Sequence, residues 1–150
     1  MTRTLLTAFA FILTILSSSA QGKEPTDEML KELQEFKIKY LIQEMDLPAD
    51  KQAEFTKIYA QYDNERSALF RELMQRHRSI RHNHNPTDTE YMVAAETMAS
   101  GKAREGGLEQ KYFNKLKTLL SSKQLYQMKC AEKKFEHKLG EMHRKKSKKK

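Results

Sequence analysis

Five histidines and one cysteine are the side chains of this 150-residue sequence best suited to chemistry. His77, His82 and His84 cluster near Asn83-Asn85-Pro86, while His137 and His143 lie far along the chain. A helical metal pair needs i,i+4 spacing, so that both rings leave one face. His77 and His82 are five apart and His82 and His84 two apart. These three are therefore candidates only for a loop-borne metal site. The competing reading is solvated histidines in a basic stretch with Arg76, Arg78 and Arg81. Cys130 stands alone, so no disulfide can form within the chain. It reads as a small, partly buried thiol or as the point of an intermolecular bridge. Glycine-rich phosphate loops, nucleophile elbows and CxxC pairs are absent. The acidic residues sit at i,i+3 and i,i+4 positions beside Lys or Arg, the pattern of a solvated helix face. The residues thus predict a non-enzymatic protein with no cofactor.

What positions these residues is a run of helices. Prolines occur only at 25, 48 and 86, each where an element boundary is expected. Ile38, Ile42, Ile58, Ile80 and Val93 are the only β-branched aliphatics after residue 20. Met, Leu, Ala, Glu, Lys and Gln, all strong helix formers, dominate instead. We expect an all-α fold of four helices. The first runs from about Thr26 to Met45, with Asp27 and Glu28 in its positive first turn. The second runs from about Pro48 to His82 and carries Phe55, Tyr59, Tyr62, Arg66, Leu69 and Leu73 at 3–4 spacing, with Ile80 two turns further on. Thr87 and Glu90 form a capping box for the third, which runs to about Leu119. Gly101, Gly106 and Gly107 predict a kink, local fraying or a hinge within it. Ser121 and Gln124 repeat the box for the fourth, whose seam is Leu125, Met128, Phe135, Leu139 and Met142, broken by Glu132. Helices this long suit elongated or cradle-like antiparallel hairpins. Their apolar surplus calls for a second copy, or is itself a working surface.

Charge and hydropathy set the compartment. The formal charge is +8, but Arg3 and six charges in residues 144–150 account for all but about +1 of it. The body, residues 21–143, is a nearly balanced polyampholyte ahead of a polybasic tail, residues 144–150, expected to be disordered. That tail is either solubilising or a contact for an anionic membrane or an acidic client segment. Arg3, the 12-residue apolar run Leu5–Leu16, and small residues Ser18 and Ala20 match a secretory signal peptide, residues 1–20. Twelve helical residues span about 18 Å, short of a bilayer core of about 30 Å. Export to the periplasm is expected, which removes nucleic acid from the partners despite the basic total.

Two short stretches carry a resemblance. Leu120-Ser121-Ser122-Lys123-Gln124 is similar to the L-T-x-x-Q motif of the Spy/CpxP group of small periplasmic helical proteins, with Ser for Thr. Leu47-Pro48-Ala49-Asp50-Lys51-Gln52 resembles a degenerate first copy, with Pro for Thr and Gln52 one residue late. Pro48 implies that its capping chemistry differs. Phe36 to Arg66 and Leu120 to Leu139 resemble members from Bacteroidetes-type bacteria, and the layout likeness covers residues 27–143. The resemblance implies a cradle-like homodimer. It also implies ATP-independent chaperone activity towards unfolded or aggregation-prone envelope proteins. Arg66, Phe70, Met74 and Arg78, a strict i+4 series, are the candidates for part of the client surface; they would otherwise line the dimer interface. Other members of that group restrain envelope-stress sensor proteins or bind zinc. A regulator or heavy-metal sensor is accordingly the alternative function.

Overall fold

The structure, a computed structural model, describes residues 26–147. The expected signal peptide, with Ser18 and Ala20, lies outside them. Among the described residues the chain is all-α, with four helices and no strand. These are α1 (Asp27–Glu44), α2 (Ala49–His82), α3 (Asp88–Leu116) and α4 (Ser122–Ser147). α4 takes in the first residues of the basic tail. Lysine and arginine are good helix formers and favour the negative end of a helix.

Local chemistry explains each boundary. The Thr26 hydroxyl accepts from Met29 N at 3.3 Å, fixing the start of α1. α1 ends at a corner in which Asp46 takes a φ of 49°. That left-handed conformation is tolerated best by Gly, Asn and Asp. Pro48 follows and α2 begins. At α3 the box is complete. Thr87 N donates to Glu90 Oε2 at 2.7 Å, and Glu90 N to Thr87 Oγ1 at 3.3 Å. α3 runs unbroken through all three glycines. It stops three residues before the expected Leu119 because the chain tightens. Thr118 N bonds Lys115 O and Leu119 N bonds Leu116 O, both i to i+3.

The chain divides into two compact units. Of the described residues, the first contains 26–52 and 120–147. Its core is Ile38, Tyr40, Leu41, Met45 and Leu47 with Leu120, Met128, Ala131 and Phe135. The Phe135 ring lies 5.6 Å from Tyr40 and 5.9 Å from Phe36. Lys134 closes the edge of this layer with Glu44 at 3.0 Å. Glu132, the polar break in the seam, pairs with Lys129 at 2.6 Å.

The second unit is Ala53–Leu119. Phe55, Ile58, Tyr59, Tyr62, Ala94, Tyr112 and Leu116 are buried. Aromatic centroids succeed one another from Phe55 to Tyr59 (5.5 Å), Tyr62 (5.7 Å) and Tyr112 (5.6 Å). Burial then thins. From Ala68 to Gly101, Ala94 and Gly101 alone are buried, and Leu69, Leu73, Ile80, Pro86 and Thr97 are half-buried.

Candidate functional site

The two flanks of the second unit differ in kind. On α2 the residues turned toward α3 include Arg66, Leu69 and Leu73; on α3 they include Ala94, Thr97, Gly101, Glu105 and Tyr112. Each step along a helix turns about 100°. Residues just before an inward position therefore fall on one flank and residues just after it on the other.

The first flank is ion-paired. Glu65 and Glu72 precede Arg66 and Leu73; Arg104 and Lys111 precede Glu105 and Tyr112. Arg104 forks onto Glu72, with Nη1–Oε1 at 2.9 Å and Nη2–Oε2 at 2.6 Å. Lys111 Nζ meets Glu65 at 2.8 Å, and the Tyr112 hydroxyl donates to Glu65 Oε1 at 2.5 Å. Hydrogen bonds from Lys111 and then Tyr112 hold the Glu65 carboxyl below the usual carboxylate range. The Arg104 bonds do the same to Glu72. Burial and the Glu65 bond push the Tyr112 phenol up.

The second flank is apolar. Phe70 and Met74 follow Leu69 and Leu73, and Met98 follows Thr97. Tyr91 is two turns from Met98 on the same side. Phe70 is 60% exposed, Met98 54%, Tyr91 52% and Met74 37%. Lys102, after Gly101, and Arg78, one turn beyond Met74, bring positive charge to this side. Met92, 61% exposed, follows Tyr91 and points away from α2.

The candidate client residues separate accordingly. Phe70 and Met74 lie exposed on the apolar flank, and Arg78 is exposed beside them. Arg66 sits in the seam, where its Nε bonds Glu105 Oε1 at 2.9 Å. Tyr91 and Met98 were not singled out by sequence. Their seven-residue spacing around the inward pair Ala94 and Thr97 is the signal that could have found them.

The two motif copies both lie in the first unit. Leu47 and Leu120 are buried. Ser121 N donates to Gln124 Oε1 at 3.0 Å, and Gln124 N to Ser121 Oγ at 3.3 Å, a reciprocal cap. At the other copy Pro48 has no N–H to offer. Gln52 instead donates its Nε2 to the Leu47 carbonyl at 2.8 Å. Gln52 thus bonds the loop ahead of its own helix, as Gln124 does, but as donor rather than acceptor.

His77, His82 and His84 are exposed. Among the described residues no group of three or more His, Cys, Asp or Glu is arranged to hold a metal ion. Cys130 is a half-buried free thiol. Its hydrogen bond to the exposed Tyr126 pushes that phenol up. No described helix is long and apolar enough to cross a membrane. No family model, curated protein or solved structure matches the chain.

Proposed function

We propose that this protein is an exported, non-enzymatic holding chaperone of the cell envelope. It binds apolar segments of unfolded or aggregation-prone proteins on the second unit and works as a homodimer of long antiparallel hairpins. One observation carries this reading: Phe70, Met74, Tyr91 and Met98 stand exposed along one flank while the opposite flank is laced with ion pairs. A flank that repeats large apolar side chains without covering them suits transient burial against a client.

The energetics fit capture and release without ATP. Fully burying a Phe or Met side chain is worth about 1.5–3 kcal/mol, so covering a half-exposed one returns about 1 kcal/mol. Four such contacts, less the ordering of the client, give weak and reversible binding. Arg78 and Lys102 add attraction toward acidic client segments, which speeds encounter more than it tightens the complex. Methionine accommodates varied client shapes because its side chain is unbranched and flexible.

The test is suppression of aggregation of a chemically denatured client, without nucleotide, at near-stoichiometric ratio. The expected result is suppression that falls severalfold in Phe70→Ser/Met98→Ser. Absence of suppression at excess protein overturns the reading. Sedimentation is expected to give a dimer, and a monomer at working concentration removes the cradle assembly.

A further inference from the structure

We propose that Met74, His77 and Met98 form a binding site for a soft monovalent metal ion, Cu(I) or Ag(I), on the apolar flank of the second unit.

The argument rests on register. A Cβ placed on Gly101 would meet Leu73 Cδ1 at 3.0 Å. The Leu73 side chain therefore packs directly against the α3 backbone at that level. Helices rise about 1.5 Å per residue. Measured from the Leu73–Gly101 level toward the loop joining α2 to α3, Met74 lies about 1.5 Å along, Met98 about 4.5 Å and His77 about 6 Å. All three fall within one helical turn. They also share a flank. Met74 and Met98 each follow an inward residue, and His77 lies one turn past Leu73, rotated about 40° to the same side. Two long, flexible thioethers from facing helices, with an imidazole within one turn of both, can converge on one ion.

The donor set selects the metal. Thioethers are soft ligands that favour Cu(I), and imidazole suits copper as well. The Glu72 and Glu105 carboxylates are held by Arg104 and Arg66 at the other flank and in the seam, and Glu96, just before the inward Thr97, falls on that other flank. At this level of the apolar flank a hard divalent ion would find no carboxylate. Lys102 and Arg78 further disfavour it, since their repulsion scales with the charge of the ion. The site uses neutral ligands only, as suits a soft monovalent ion. This inference does not depend on the chaperone reading.

The experiment uses the full chain carrying Cys130→Ser, which removes the thiol that would otherwise compete for a soft ion. Ag(I), which is redox-inert, and Cu(I) under reductant are titrated against a coloured chelator, and methionine methyl resonances are followed by NMR. The expected result is one ion per chain, with shifts confined to the Met74 and Met98 methyls. Met74→Leu, Met98→Leu and His77→Ala each weaken binding at least tenfold, whereas Met92→Leu leaves it unchanged. Met to Leu nearly conserves volume, so the fold persists in those variants. Lack of binding overturns the proposal. So does binding insensitive to both Met74→Leu and Met98→Leu, or binding equally sensitive to Met92→Leu.

Discussion

The Tyr112 hydroxyl donates to the Glu65 carboxylate at 2.5 Å, joining the buried aromatic row of the second unit to its ion-paired flank. Tyr112 is 2% exposed, and the ammonium groups of Lys111 and Lys115 lie 4.9 Å and 4.7 Å from its ring centroid. Tyr112→Phe keeps the ring and loses one bond to an exposed carboxylate. It is expected to lower stability by about 1 kcal/mol. Tyr112→Ala leaves a cavity and is expected to cost about 3–5 kcal/mol. Urea unfolding followed by circular dichroism distinguishes the two.

Acid is expected to loosen the second unit. Glu65, Glu72 and Glu90 all have lowered folded-state pKa values, from Lys111, Arg104 and the Thr87 backbone N–H respectively. A lowered carboxylate contributes stability that is present above its unfolded pKa, about 4.3, and lost as pH falls through the folded value. The melting temperature should hold steady between about pH 6 and 8, then fall below about pH 4.5. Glu65→Gln/Glu72→Gln should flatten the acid slope. An unchanged slope would show that these pairs do not titrate with folding.

Three glycines in one helix are expected to behave differently. A Cβ at Gly106 or Gly107 meets nothing within 4 Å. Ala at either position is expected to raise stability by about 0.5–1 kcal/mol. At Gly101 the new Cβ would sit 3.0 Å from Leu73 Cδ1. Leu73 must turn aside, so Gly101→Ala is expected to gain less than the other two or to destabilise. Equal gains at all three positions would contradict the close approach.

The two caps give a matched pair of tests. Ser121→Ala removes the hydroxyl that receives Gln124 N and is expected to cost about 1 kcal/mol. Gln52→Ala removes the donor to the Leu47 carbonyl, with a cost of about 0.5–1.5 kcal/mol. Pro48→Thr restores a backbone N–H. It should let Gln52 turn its carbonyl oxygen to that N–H, visible as loss of the bond to Leu47 O.

Much of this architecture was legible in the sequence, because its signals are local. Thr87 with Glu90, Ser121 with Gln124, and Pro48 mark helix starts within a few residues of the groups they satisfy. The inward stripe through Leu69 and Leu73 follows from the helical period alone. What sequence could not show is the register between helices. Glu105 lies 39 residues from Arg66, so a candidate client-binding cation could not be told from a seam residue. Gly101 read as a weak point because its neighbour, Leu73, is likewise distant along the chain. Tyr91 and Met98 joined Phe70 and Met74 only once α3 had a definite rotation about its axis.

The uneven placement of methionine has a chemical consequence. Met45 and Met128 are buried in the first unit, whereas Met74, Met92 and Met98 meet solvent in the second. Peroxide oxidises accessible thioethers to polar sulfoxides first. The second unit will therefore accumulate oxygen atoms while the first still holds its packing. A mass spectrum of partly oxidised protein should record this as a peptide-resolved history of oxidant exposure. Any function resting on the exposed thioethers will fade before the fold does, and methionine sulfoxide reduction will restore it.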